Sequence, residues 1–353
     1  MKSHAGRTAD ASRADGAPAV TGEGVLPQEY LTLLNSEFEL CWAGGDRLLE
    51  RICRYAMAPG GKLLRPILLL ESAVAAGGRA ADVLPAAVGT ECGHVASLVH
   101  DDIIDGDDMR RGRPSVHRRY GLDNAIVAGD ALIFFLFRCL ADCRTTGVGD
   151  DRIVSALRVV AQAGYDMCRG QSLEAEVCGD LTCDTATYLE MIRLKTAAFF
   201  RAACQSGAIL GGGTAEAVRV LGAYGDHLGA AFQIHDDLLA YVSTPEATGK
   251  SAVSDIRNRR LTLPVILAYE TGAAADRRAL EEVLRGVQDG GVADDAAFTA
   301  VHRVLERTGA LEASRERARW HSARACEELA ALPPSPSADR LAHVARLAVT
   351  RDR

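Results

Sequence analysis

From Leu26 to the C-terminus, apolar residues recur at the three-and-four spacing of helices that face a core, and short alternating segments of the kind that mark strands are almost absent. The pattern predicts helices over 27–57, 64–76, 81–104, 123–143, 150–176, 184–209, 214–242, 261–271, 275–287, 295–307, 310–330 and 337–349. Breaks fall at Pro59-Gly60-Gly61, Gly77-Gly78, Gly147 and Gly149, Gly211-Gly212-Gly213, Gly290-Gly291 and Pro333-Pro334, where glycine freedom or proline's missing N–H stops a helix. No linker, composition shift or repeat divides this region. The expectation is an all-α fold, a single-domain helical bundle over 27–353 around a central cavity. Residues 1–26 carry Ala, Gly, Ser and charge without apolar mass and read as a flexible tail.

Charge narrows the function. The 353 residues carry 47 acidic and 40 basic side chains, a formal net charge of -7, which argues against a surface built for nucleic acid. Any anion must therefore be held locally. Ten scattered cysteines form no CxxC pair and read as reduced thiols of a cytoplasmic protein; Cys139 and Cys143, one helical turn apart, read as filler rather than half a metal site. The longest apolar run, Ala131 to Phe137, is too short to span a bilayer, and no signal peptide is evident.

The sharpest chemical signal is His100-Asp101-Asp102-Ile103-Ile104-Asp105, which closes an apolar helix. On a helix Asp101 and Asp105 share a face one turn apart, and Asp102 lies close to Asp105. Carboxylates crowded at a helix C-terminus repel each other and oppose the dipole, so a positive partner is required. Hard oxygen ligands at this spacing suit Mg²⁺, although a solvated acidic helix end would account for one such motif alone. A second pair, Asp236-Asp237, follows Phe232, Gln233 and Ile234 on another apolar helix. Two helices ending in paired aspartates can face each other across a bundle cavity and hold metal between them.

Cations flank both motifs: Lys62 and Arg65 in Gly60-Gly61-Lys62-Leu63-Leu64-Arg65-Pro66, Arg110-Arg111-Gly112 after the first motif, Lys195-Thr196 mid-chain, and Lys250, Arg259 and Arg260 after the second. Singly each reads as a solvated face or cap; together they describe a site for two diphosphates, one held through Mg²⁺ and one by Arg and Lys directly. Small residues above the first motif, Gly93, Ala96 and Ser97, either open a channel between helices or let helices pack closely.

These blocks resemble the trans-isoprenyl diphosphate synthases, or polyprenyl synthetases, over essentially all of 27–350. The matching stretches are GGKLLRP at 60–66, SLVHDDIIDGDDMRRGRPSVH at 97–117, GD at 129–130, GQ at 170–171, KT at 195–196, FQIHDD at 232–237, GK at 249–250 and TLP at 262–264. The resemblance implies an all-α homodimer that elongates an allylic diphosphate with isopentenyl diphosphate. It implies Mg²⁺, three ions per site, held by Asp101, Asp105 and Asp236 with support from Asp102 and Asp237. Arg110, Lys195 and Lys250 would contact the allylic diphosphate, and Lys62, Arg65, His94 and Arg111 the isopentenyl diphosphate. Thr196 and Gln233 would stabilise the carbocation through their dipoles, and His100 would stand behind the metals without acting as a base.

The sequence departs from the family pattern at Ala240, which replaces the usual last Asp of the second motif; at Ser251–Asp255, where Pro and Gly are usual; and at Arg260, which replaces a Lys but keeps the charge. Small Ala96 and Ser97 point to geranylgeranyl diphosphate as product, with Phe134, Phe135 and Phe137 or Tyr165 and Met167 as the channel floor. Farnesyl or longer prenyl products are the alternatives. A terpene cyclase has no use for the second diphosphate site, and a non-catalytic partner subunit would be expected to have lost acidic ligands.

Overall fold

Helix follows helix along the chain, each ending near the glycine or proline punctuation that the sequence displays. The computed structural model describes residues 28–41, 45–58, 61–242, 252–288 and 294–350. The helices are α1 (Gln28–Cys41), α2 (Leu48–Met57), α3 (Leu64–Ala75), α4 (Leu84–Asp105), α5 (Val116–Tyr120), α6 (Leu122–Asp142), α7 (Asp150–Glu176) and α8 (Thr185–Ile192). They continue as α9 (Ala198–Leu210), α10 (Ala215–Val242), α11 (Ala252–Arg257), α12 (Leu263–Thr271), α13 (Ala274–Gln288), α14 (Asp294–Thr308), α15 (Ala310–Leu329) and α16 (Pro336–Leu347). The tail expected over 1–26 lies outside the described residues.

Three differences from the expected helices matter. The single helix expected over 27–57 is two, because α1 ends at Cys41 and α2 restarts at Leu48 beyond Gly45. A two-stranded hairpin, β1 (Met109–Arg110) with β2 (Arg113–Pro114), follows the first acidic motif, with Arg110 paired to Arg113 across a two-residue turn. The helix expected over 184–209 runs through, but Arg193–Ala197 forms a π-helical turn between α8 and α9. Such turns insert one residue into a helix and re-aim its side chains.

α10 runs through the middle, packed against α9, α12, α15 and the π turn, while α4 packs on α3 and along α6. The α4–α6 contact is close because α4 presents glycines. A Cβ on Gly93 would stand 2.8 Å from both Leu136 Cδ2 and Phe199 Cζ, and one on Gly89 would stand 2.8 Å from Cys139 Cβ. Of the two readings open for the small residues, close packing holds at Gly93. Three apolar clusters form the core: one among α1 to α4, α6, α7 and α9, one among α3, α9, α10, α15 and α16, and one joining α8 and α10 to α12, α14 and α15.

Candidate active site

α4 stops just past Asp105 because Gly106, at φ +66°, turns left-handed and its N–H caps the carbonyls of Asp102 and Ile103. The end of α4 therefore carries the three carboxylates of the first motif, and cations from three other elements meet them. Arg110 on β1 donates through Nε to Asp102 Oδ1 at 2.8 Å, pairs with it again through Nη2, and lies 3.7 Å from Asp107. Arg260, beyond α11, pairs with Asp105. Lys195, in the π turn, lies near enough to lower the pKa of Asp101, as do Arg110 and Arg260, yet burial outweighs them and pushes that carboxyl above the usual carboxylate range.

Lys195 is itself anchored: its Nζ donates to Glu174 Oε2 on α7 at 2.5 Å, and Gln171 Nε2 donates to the same oxygen at 3.1 Å. α7 approaches so closely because residue 170 is glycine; a Cβ there would stand 2.7 Å from Lys195 Cα. That contact gives the GQ block its physical reason. Glu174 is a residue that the sequence reading missed, although its place three positions after Gln171, on the same helix face, was the available signal.

A second cluster lies beside the first. Arg65, one residue into α3, stacks its guanidinium 4.3 Å from the Phe200 ring centroid, and its buried Nε has no hydrogen-bond partner. Burial lowers its pKa to about 10, opposed by Glu91 and Asp236, so it remains charged. Glu91, 4% exposed inside α4, is a second missed residue: burial raises its carboxyl pKa while Arg65 and Arg111 pull it down. Its signal was a charge in the middle of an apolar helix. His94, two turns before Asp101, has a pKa well below its ordinary value through burial and the charges of Arg65, Arg111 and Arg110, so it is neutral. Arg111 reaches back over the loop before α3, where a Cβ on Gly61 would meet its guanidinium at 3.0 Å. Lys62 lies exposed on that loop.

The backbone is strained where these cations are held. Leu63 (φ 47°), Arg111 (φ 51°) and Arg259 (φ 52°) are the described non-glycine residues with positive φ, and each carries or adjoins a basic residue of the site. Arg111 and Gly112 (φ 73°) together make the primed turn that a two-residue hairpin needs, with arginine where asparagine or glycine is usual. The hairpin closes one side of a cleft lined by Tyr55, Val95, Leu98, Asp102, Arg110 and Arg111.

α10 carries the second motif, and its two aspartates have different surroundings. Asp236 is half-buried near Arg65. Asp237, expected to support metal, is hydrogen-bonded inside the fold: Tyr188 Oη donates to Oδ2 at 2.7 Å, Gln233 Nε2 to Oδ1 at 2.9 Å, and the Leu263 N–H to Oδ2 at 3.4 Å. Burial pushes its carboxyl up to about 7 against those hydrogen bonds. Thr196 Oγ1 donates to Gln233 Oε1 at 2.9 Å, so the KT and FQIHDD blocks are joined. Ala240 packs half-buried against the α8 and α12 cluster and adds no carboxylate.

Other expected residues fall as follows. Lys250 lies outside the described residues. His100 points to α6, 3.6 Å from Asp130 Oδ1 and 3.4 Å from the Ile126 carbonyl, away from the aspartates. Phe134 is 73% exposed and Tyr165 64% exposed, so neither is a channel floor within this chain; Phe135, Phe137 and Met167 are half-buried against the core. Ala96 is fully buried, and Ser97 is half-buried with its hydroxyl on the His94 carbonyl at 2.8 Å.

Among the described residues no three carboxylate, imidazole or thiol groups converge tightly enough to hold an ion by themselves. Asp101 and Asp105 offer two carboxylates, the number Mg²⁺ takes when phosphate oxygens and water complete its octahedron. The donor set fits an ion shared with a phosphorylated substrate.

The profile of the polyprenyl synthetase family matches residues 46–300. The chain belongs to the polyprenyl synthetases. It is 37% identical to the short chain isoprenyl diphosphate synthase of Methanothermobacter thermautotrophicus over 86% of this chain and 90% of that protein. It is 38% identical to the geranylgeranyl diphosphate synthase of Methanosarcina mazei over 65% of this chain and 69% of that one. Among solved structures, geranylgeranyl pyrophosphate synthetase from Pyrococcus horikoshii superposes with a TM-score of 0.84 at 31% identity, covering 92% of this chain and 96% of that one. The bundle of this polyprenyl synthetase is thus the all-α fold its sequence predicts.

Proposed function

We propose that this polyprenyl synthetase condenses isopentenyl diphosphate with an allylic diphosphate, head to tail, releasing inorganic diphosphate. The observation that carries this reading is the pairing of two cation clusters: Arg110, Lys195 and Arg260 around the aspartates of α4, and Arg65 with Arg111 and neutral His94 beside them. One diphosphate needs one such cluster; a bond-forming reaction between two diphosphate esters needs both.

Asp101, Asp105 and Asp236 would hold Mg²⁺, which when bound neutralises the allylic diphosphate and favours its departure. Three ions per site accord with the family. Arg110, Lys195, Arg260 and Lys250 bind and orient the leaving diphosphate, where negative charge grows as its carbon–oxygen bond breaks. Lys62, Arg65, Arg111 and His94 hold the isopentenyl diphosphate; the unpartnered Arg65 Nε supports an anion there. Its double bond attacks the allylic cation, and the proton that is lost passes to the released diphosphate. Thr196 and Gln233 turn oxygen atoms, rather than protons, toward the developing positive charge.

Small Ala96 and Ser97 support geranylgeranyl diphosphate as product. Relatives of similar identity named farnesyl, geranylgeranyl and geranylfarnesyl diphosphate synthases bracket that length. Ile126, Val127 and Phe134, exposed on α6, support a homodimer. No described helix is long and apolar enough to cross a membrane, and the ten free thiols support a reducing, cytoplasmic setting. The test is steady-state elongation by wild type, Asp101→Asn and Arg111→Gln. Asp101→Asn is expected to lose about three orders of magnitude in turnover, and Arg111→Gln to raise KM for isopentenyl diphosphate alone, as expected for residues serving different diphosphates. Equal KM effects of Arg111→Gln on both substrates would refute two separate sites.

A further inference from the structure

A continuous hydrogen-bonded chain crosses from the cation cluster into the core. Thr196 Oγ1 donates to Gln233 Oε1, Gln233 Nε2 donates to Asp237 Oδ1, and Tyr188 Oη donates to Asp237 Oδ2, at 2.9, 2.9 and 2.7 Å. Thr196 lies in the π turn next to Lys195, Gln233 and Asp237 stand one turn apart on α10, and Tyr188, 1% exposed, projects from α8. The Leu263 N–H, at the start of α12, supplies a third donor to the same carboxylate.

The direction of each bond follows from chemistry. Three donors, Tyr188 Oη, Gln233 Nε2 and the Leu263 N–H, converge on the two Asp237 oxygens, so in this arrangement the carboxyl accepts from all of them and the tyrosine hydroxyl donates to it. Asp237 thus takes donors on both oxygens and compels Gln233 to present its NH₂ group inward. The amide cannot then turn over, because a reversed Gln233 would set its carbonyl against the carboxylate. With the Gln233 carbonyl facing Thr196, the threonine must spend its one proton on that carbonyl. What remains on Thr196 is a pair of lone pairs.

We propose that Tyr188 and Asp237 are positioning residues that fix the polarity of Gln233 and Thr196, so that the wall beside Lys195 presents acceptor oxygens to an allylic carbocation and no proton that would oppose it. This rests on the prenyl-transfer reading and adds to it. The second aspartate of the second motif then serves as an internal brace, while Asp236 serves the metal. Preorganised dipoles of this kind act at the transition state and leave ground-state binding of diphosphate untouched.

Asp237→Asn is the decisive variant, since it keeps shape and the bond from Tyr188 but offers Gln233 an NH₂ group. Gln233 must reverse, and the Thr196 proton is turned outward. The experiment measures kcat, both KM values and the Mg²⁺ activation curve for wild type, Tyr188→Phe, Asp237→Asn, Thr196→Val and the Asp237→Asn/Thr196→Val double variant. The expected result is a fall in kcat of about tenfold or more for Asp237→Asn and Tyr188→Phe, with KM within about twofold and an unchanged Mg²⁺ requirement. In the Thr196→Val background, Asp237→Asn should cost less than it does in the wild-type background, because one of the two groups whose polarity it reverses is gone. A raised Mg²⁺ requirement in Asp237→Asn would make Asp237 a metal ligand and overturn the proposal, as would an undiminished cost in the double variant. If wild type itself fails to elongate any primer, the prenyl-transfer reading falls and takes this one with it.

Discussion

The guanidinium of Arg260 rests on the carboxylate of Asp105, joining the segment after α11 to the last acidic residue of α4. Asp105 is 7% exposed and Arg260 22% exposed, so the pair is largely withdrawn from water, and Asp101 also acts on Arg260, whose pKa burial lowers. Cations of the chain itself therefore offset the carboxylates of the first motif.

Metal binding should compete with that pair. Arg260→Gln leaves Asp105 uncompensated, so the substrate-free protein is expected to bind Mg²⁺ about tenfold more tightly, equivalent to roughly 1.4 kcal/mol. Its KM for the allylic diphosphate should rise over the same substitution. Calorimetric titration with Mg²⁺, with and without diphosphate, checks both effects; unchanged Mg²⁺ affinity would mean that Asp105 does not take part in metal binding.

Gly93 and Ser97 should separate under mutation although both are small residues on α4. Gly93→Val drives a side chain into Leu136 and Phe199, each already 2.8 Å from a Cβ, and is expected to cost about 1–3 kcal/mol of stability without shifting product length. Ser97→Phe, one turn before Asp101 and half-buried, should shorten the prenyl chain with little loss of stability. Denaturant unfolding and sizing of the dephosphorylated products give both readouts. A shortened product from Gly93→Val would put that residue on the channel wall instead.

The bundle was legible because long apolar stretches at helical spacing leave few alternatives, and the ordered blocks carried the site. What the sequence hid was local. A two-residue strand has no alternation to detect, so β1 and β2 left only the Arg111-Gly112 pair as a trace. A π turn adds one residue without disturbing the apolar pattern, so the shift at Arg193–Ala197 cannot be read from periodicity. Spacing gave Asp236 and Asp237 the same prospects, but adjacent helical residues point about 100° apart, and only packing against Tyr188 separates them. Phe134 and Tyr165 looked like a floor because large aromatics favour interiors, whereas here they cover the outside.

Acid should weaken the α10–α15 contact. His227 and His321 face each other Nδ1 to Nδ1 at 3.1 Å, and burial, with the charges of His227 and Arg317, lowers the pKa of His321 to about 4. The unfolded chain protonates this residue near its ordinary 6.5 and the folded chain only near 4, so between those values the unfolded state binds more protons. Stability must then fall as pH drops through that window, by about 2 kcal/mol once partial exposure is allowed for. Denaturation midpoints at pH 7 and 4.5 should differ more for wild type than for His321→Gln; an equal difference would assign the acid sensitivity to other groups.

The account's central claim is a condensation between two diphosphates, and the most direct measurement is product sizing. Purified protein is incubated with Mg²⁺, labelled isopentenyl diphosphate and, in turn, dimethylallyl, geranyl and farnesyl diphosphate, and the dephosphorylated products are separated by length. The account predicts a prenyl alcohol ladder from each primer that ends at geranylgeraniol and disappears when the divalent cation is chelated. Release of hydrocarbon from a single allylic diphosphate, with no incorporation of label from isopentenyl diphosphate, would contradict it.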